Sequence, residues 1–408
     1  MARPGMQKSK NRCDIFCNVI DNYGDIGVCW RLARQLASEH GLPVRLWVDD
    51  LASLAKLCPE IDAALKNQYR RGVEVCHWSK PFPDVQPAEL ASTELVPANL
   101  VIGAFACQLP ESYVAAMAAQ EHKPVWLNLE YLSAESWVEG CHKLSSPHPA
   151  LPLTKHFFFP GFTKQTGGLL LEHNLLARRD TFQSDAAQQQ AFWQSIGMEM
   201  PDAQTLKISL FGYENTALPG LFDTWAAGAQ PVLCLIPEGR ILPQLGQYFG
   251  DDMPRAGSSY ARGSLRVRVL PFVEQERYDE LLWACDINFA RGEDSCVRAQ
   301  WAGKPFVWQI YPQHDAVHWD KLQAFLNLYS SPLDPAVGQV VQDLWREWNS
   351  GGAAGDAWPA FAAVRGKLER RAQDWARELA ANNLALNLLD FSREIGRMRA
   401  FKIEGQQI

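Results

Sequence analysis

The apolar run Ile15-Phe16-Cys17-Asn18-Val19-Ile20 passes directly into Asp21-Asn22-Tyr23-Gly24-Asp25-Ile26-Gly27, and then into a helical pattern from 28 to 39. A buried strand, a glycine-containing turn and a helix make the opening of a nucleotide-type α/β unit. Ligands of such sheets bind at the carboxyl ends of the strands. A dinucleotide-binding turn presents bare glycines to a pyrophosphate; here Asp21 and Asp25 stand in the turn and repel a phosphate. No Gly-x-Gly-x-x-Gly fingerprint follows the strand, which argues against a nicotinamide-dependent oxidoreductase. The turn suits a cation or a proton, so the first domain is expected to hold an acceptor. The residue types alone leave a second reading open, an Asx-turn and a helix N-cap.

At 408 residues the chain is expected to form two domains. Apolar, β-branched runs at 14–20, 43–48, 73–77, 100–104 and 125–129 alternate with helical patterns at 28–39 and 51–57. The second half repeats this, with strands expected at 206–211, 232–236, 266–270, 286–289 and 306–309. Helices are expected at 221–227, 274–283 and 296–302. Such alternation predicts βα units around mainly parallel sheets. The fold class is therefore α/β, two facing Rossmann-like doubly wound domains with a cleft between them and a C-terminal helical segment. The expected division is 12–180 for the acceptor domain, 181–204 for a linker rich in Gln, Asp and Ser, and 205–360 for a donor domain. Helices at 361–400 are expected to pack back toward the first domain.

A net charge of −7 argues against a general nucleic-acid binder. No apolar run approaches the ~18 residues of a membrane span, and the basic, polar first twelve residues lack the apolar segment of a signal peptide. Ten cysteines without a Cys-x-x-Cys pair read as small buried hydrophobes in a reducing cytoplasm. His314 and His318 have the spacing of metal ligands on a helix, but no third ligand is evident and no metal is expected.

A second constellation lies at Arg291-Gly292-Glu293-Asp294-Ser295, between an expected strand and an expected helix. Gly292 permits a tight turn, and Ser295 is a good N-cap with Glu293 and Asp294 near the positive end of the helix dipole. Helix-terminal amides beside Arg291 can bind a diphosphate; an ordinary capped helix is the alternative. Tyr213, after the strand at 206–211, can reach a phosphate. Phe272 and Gln275, after the strand at 266–270, offer a stacking face and an amide for a pyrimidine.

These stretches carry a resemblance. Asp-Asn-Tyr-Gly-Asp-Ile-Gly-Val-Cys-Trp-Arg-Leu-Ala-Arg (21–34) resembles the N-terminal signature of the bacterial elongation factor P arginine rhamnosyltransferases, the EarP family. Phe-Gly-Tyr (211–213), Leu-Pro-Phe-Val-Glu-Gln-Glu (270–276), Asn-Phe-Ala-Arg-Gly-Glu-Asp-Ser (288–295) and Phe-Val-Trp-Gln-Ile-Tyr-Pro-Gln (306–313) are similar to its donor-domain signatures. The likeness runs from about residue 12 to 390. It implies an inverting GT-B glycosyltransferase that moves L-rhamnose from dTDP-β-L-rhamnose to an arginine of elongation factor P. By position, Asp25 would be the general base and Asp21 its companion carboxylate. Phe272 and Gln275 would hold the thymine, with Tyr213, Arg291, Glu293, Asp294 and Ser295 around the diphosphate and sugar. Glu293 would also stabilise positive charge developing on the sugar ring. A related enzyme working on a small-molecule acceptor, a GT-B glycosyltransferase or a sugar-nucleotide epimerase, stays open at this point. So does a catalytically silent module that docks on a translation factor.

Overall fold

The computed structural model describes residues 11–20, 23–79, 96–312 and 316–404, with side chains to 398. The chain divides into two compact units. One holds the residues up to Glu172 together with those from Ala381 onward; the other is His173–Ala380.

The first unit is built on β1 (Cys13–Cys17), β2 (Val44–Val48), β3 (Asn67–Arg70), β4 (Val73–His77), β5 (Leu100–Ala104), β6 (Val125–Leu129), β7 (Ser145–Pro147) and β8 (Thr154–Phe158). They form one sheet in the order β3-β4-β2-β1-β5-β6-β8-β7. The six inner strands pair in parallel, and β3 and β7 close the edges antiparallel. Four helices, α1 (Gly24–Ser38), α2 (Leu51–Leu57), α3 (Glu111–Ala119) and α4 (Trp137–Cys141), lie between strands. Strands covered on both faces lose the alternation of a one-sided sheet and become continuously apolar, and β1, β2 and β5 are buried at every position. Phe16 anchors the core, stacked 5.6 Å from Trp47 and edge-on 4.7 Å from Tyr113. The chain runs outward from β1 to β2 and β4 on one side, then returns to β5 on the other. The order therefore reverses between β1 and β5.

The second unit opens with α5 (Leu175–Ser184) and α6 (Ala186–Ser195). Its sheet has β9 (Leu206–Leu210), β10 (Val232–Pro237), β11 (Ser259–Arg262), β12 (Leu265–Leu270), β13 (Ile287–Arg291) and β14 (Phe306–Gln309), in the order β11-β12-β10-β9-β13-β14. Again the inner pairs are parallel and one edge, β11, is antiparallel. The reversal of order falls between β9 and β13. The crossovers are α7 (Leu218–Ala227), α8 (Leu242–Phe249), α9 (Gln275–Ala284) and α10 (Asp294–Trp301), and then α11 (Val317–Ser330), α12 (Pro335–Ser350), α13 (Ala354–Ala363) and α14 (Arg365–Leu379) follow.

Residues 181–204, read from composition as a connection, carry part of α5 and all of α6. Asp185 caps α6 by accepting the Ala187 and Gln188 amides. Phe182 packs on Phe192 and on Trp283 of α9, at 5.9 and 5.7 Å, and this aromatic contact ties the segment to the second unit. The last helix, α15 (Leu384–Glu404), lies in the first unit against α1 and β6. Its entry is stitched by side-chain amides: Asn382 donates to the Thr163 carbonyl, Asn383 to Leu171 and Asn387 to Gly167. Thirteen of the fifteen tryptophans are buried, as expected of core residues, and all ten cysteines are unpaired thiols, nine of them buried. No described helix is long and apolar enough to cross a membrane.

Candidate active site

Both reversal points carry the residues that the sequence singled out. In the first unit, α1 begins at Gly24, four residues earlier than the pattern predicts, so Asp25 sits in its first turn and not in a loop. Its Oδ2 accepts the Ile20 backbone N–H at 2.9 Å, which ties Ile20 to the first turn of α1. The carboxylate also lies at the positive end of the helix dipole, where negative charge is favoured. Asp25 is 4% exposed. One oxygen thus has a structural bond whatever else the group does. Asp49 braces the same edge by accepting the Val19 N–H at 2.9 Å. Asp21, its expected companion, and His314 lie outside the described residues.

In the second unit, β13 extends to Arg291, two residues further than expected. Gly292, at φ +61°, turns the chain in a single step, and α10 starts at Asp294. Ser295 is therefore inside the helix and is not its N-cap. Its hydroxyl accepts the Arg291 N–H at 3.0 Å and donates to the Arg291 carbonyl, tying the turn to the helix. Glu293 takes the N-cap position without capping through its side chain. Its carboxylate pairs instead with Lys321 of α11 at 2.9 Å. The first turn of a helix leaves its N–H groups without intrahelical partners and favours anions.

The Arg291 guanidinium lies over two rings after β9, its carbon 4.3 Å from the Phe211 centroid and 4.6 Å from that of Tyr213. Stacking of this kind fixes a guanidinium plane. Tyr213 is positioned through its backbone, whose N–H donates to Gln309 Oε1 at 2.9 Å, and through edge-on contact with Tyr311 at 5.5 Å. A Cβ on Gly212 would crowd Gln309 Oε1 at 3.0 Å and the end of the Ile241 side chain at 3.1 Å. Phe272 is half-buried after β12. Gln275 opens α9, is buried, and donates to Asp294 Oδ2 at 3.3 Å. Tyr213, Gln275, Arg291, Glu293, Asp294 and Ser295 are thus brought to one edge of one sheet, from the exits of β9, β12 and β13.

The architecture and the sequence agree with one family. A family model described as elongation factor P (EF-P) rhamnosyltransferase EarP matches residues 13–393. The chain belongs to the EarP family. Among similar EarP relatives, the protein-arginine rhamnosyltransferase of Pseudomonas putida KT2440 is 51% identical over 381 residues, covering 93% of this chain and 98% of the relative. The one from Pseudomonas aeruginosa PAO1 is 46% identical over 379 residues, with the same two coverages. A solved EarP structure, described as the basis for EarP-mediated arginine glycosylation of translation elongation factor EF-P, is 37% identical. It superimposes with a TM-score of 0.66 over 93% of this chain and 98% of that one. The chain is accordingly a glycosyltransferase with the two-unit α/β architecture of the GT-B class.

Several residues that support this EarP site were given no role by the sequence pattern. Lys321 reaches Glu293 from 28 residues away, and Trp308 Nε1 donates to the Gly292 carbonyl at 2.7 Å. Asn349 bridges the Trp308 carbonyl at 2.8 Å and the Ile310 N–H at 2.9 Å, holding the exit of β14 beside the turn. Trp308, like Gln309 and Tyr311, lies in the stretch 306–313 whose likeness to the donor-domain signatures had marked it without giving any of its residues a role.

Proposed function

We propose that this chain transfers L-rhamnose from dTDP-β-L-rhamnose to an arginine side chain of elongation factor P, inverting the anomeric carbon, in the cytoplasm and without a metal ion. Family membership supports the reaction class, and the names of the relatives support protein arginine as acceptor. The observation that carries the division of labour is opposite polarity at the two reversal points. A carboxylate stands at the start of α1, and a stacked arginine with a helix N-terminus stands at the start of α10.

The chemistry constrains the order of events. A guanidinium stays protonated far above neutral pH, so a carboxylate that took its proton at the outset would face a cost on the order of 12 kcal/mol. In this reading Asp25, with Asp21, grips the cation and orients one nitrogen at the anomeric carbon. The bond to the diphosphate loosens while Arg291 and the α10 terminus receive the leaving charge. Proton transfer to carboxylate comes late, once the new C–N bond has made that nitrogen acidic. Glu293, held by Lys321, supports positive charge developing on the sugar ring. Phe272 and Gln275 hold the thymine, and Tyr213, Asp294 and Ser295 complete the diphosphate and sugar site. A single displacement inverts the centre and needs no covalent nucleophile.

The test is intact-mass analysis of elongation factor P after incubation with this protein and dTDP-rhamnose. One added deoxyhexose, lost when the acceptor arginine is replaced by lysine, is the expected result. Transfer to small acceptors with an unmodified factor would overturn it.

A further inference from the structure

The carboxyl edge of the first sheet carries a second acid that the reaction scheme leaves unused. Glu130 follows β6 directly, and its N–H donates to the Phe158 carbonyl at 2.9 Å, which fixes the backbone there. Its carboxylate is half-buried and accepts a hydrogen bond from the Asn128 amide. Among the described residues no arginine or lysine forms an ion pair with it. Burial raises its pKa, while Asn128 and the charge of Lys155 pull the other way. Net elevation means this carboxylate has less positive charge around it than its burial calls for.

The neighbourhood is held rigidly. Phe105 and Ala106, immediately after β5, both sit in the left-handed region at φ +55° and +57°. Non-glycine residues there are strained and persist only where the surroundings enforce them. Phe105 donates its N–H to the Leu129 carbonyl at 2.7 Å and stacks on Tyr131 at 4.9 Å, so the exits of β5 and β6 form one unit. β5 separates β6 from β1, and two strand spacings place Glu130 about 10 Å across the edge from the end of β1; Asp25 is hydrogen-bonded to Ile20, three residues past that end. A guanidinium is planar, with donors on more than one edge, and can be held from two sides at once.

We propose that Glu130 is a further acceptor-positioning residue, accepting from the edge of the substrate guanidinium that faces away from Asp25. The inference rests on the arginine-acceptor reading above. One acid then holds the cation's orientation while the other receives the proton, and the Glu130 carboxylate remains charged throughout.

The experiment compares the parent enzyme with Glu130→Gln and Glu130→Asp, using elongation factor P and dTDP-rhamnose, with dTDP affinity and melting temperature measured alongside. Glu130→Gln should raise the KM for the protein acceptor at least tenfold and leave dTDP affinity and melting temperature unchanged. Glu130→Asp should recover part of the loss, because a shorter carboxylate keeps the charge. An unchanged acceptor KM in Glu130→Gln overturns the inference, as does a loss shared equally by dTDP binding and melting temperature. A parent enzyme that does not modify the factor overturns the acceptor reading, and this inference with it. A modified factor with an unaffected Glu130→Gln overturns this inference alone.

Discussion

Asp25 holds the Ile20 backbone and is proposed to hold a proton, and the two roles can be separated. A carboxamide at this position keeps an oxygen to accept the Ile20 N–H but cannot take a proton. Asp25→Asn should therefore preserve folding and dTDP binding while lowering the transfer rate by about 10²–10⁴, the usual contribution of a positioned base. Turnover equal to the parent's would discard the assignment. Arg291 is the corresponding test on the donor side. Losing a charged hydrogen-bonding group costs about 1.5–3 kcal/mol, so Arg291→Ala should weaken dTDP binding roughly 10–100-fold in a calorimetric titration. Ser295→Ala should act in the same direction by releasing the turn from Arg291. His142 gives a pH dependence of stability. Burial, then Lys143, lowers its pKa to about 4, and its Nδ1 accepts the Phe159 N–H, so the ring is neutral in the folded chain. The unfolded chain binds that proton near ~6.5. Stability from this residue is thus whole above that pH, declines as pH falls, and is gone below about 4. Urea midpoints of His142→Gln against the parent, measured from pH 7 to 4.5, should show the shallower slope in the variant.

At the scale of elements, the pair Arg298–Asp279 fixes the helix that carries the donor turn. Two hydrogen bonds of 2.7 Å join them, both residues are buried, and they clamp α10 to α9. Removing one partner strands a buried charge, a loss of about 3–5 kcal/mol. Arg298→Ala should accordingly lower the denaturation midpoint and weaken dTDP binding through a displaced α10, as chemical denaturation and titration would show. Strands buried along their whole length were legible as apolar runs: 100–104 and 125–129 coincide with β5 and β6, and 306–309 with β14, which is buried although it ends its sheet. Exposed edge strands were not. β3, β7 and β11 are mostly polar and exposed, as strands at a sheet margin are when they discourage further pairing. The donor turn was visible as a glycine between charges, whereas its support was not. Nothing local in Lys321, Trp308 or Asn349 announces a partner brought close only by the crossovers. Asp25 was placed in a loop because glycine at 24 and 27 reads as a break, yet the helix runs through both.

On the scale of the whole molecule, the first unit is discontinuous in sequence, and α15 contributes buried Leu384, Ala385, Leu388 and Phe391 to it. Backbone bonds join the two parts, with Leu169 donating to the Asn382 carbonyl and Leu384 to that of Leu169. A chain ending at Ala380 should leave 163–171 rapidly exchanging in hydrogen-exchange mass spectrometry, while the sheet of the second unit stays protected. Unchanged protection at 163–171 would show that the closing helix is dispensable.

The same discontinuity sets a timetable for birth on the ribosome. Roughly two hundred residues separate Glu172 from Ala381, and synthesis at about 5–20 residues per second spans them in roughly 10–40 s. Through that interval the nascent first sheet waits with its last apolar seat vacant, so a holding chaperone has its opportunity there, before the enzyme's earliest-made half can be completed by its latest.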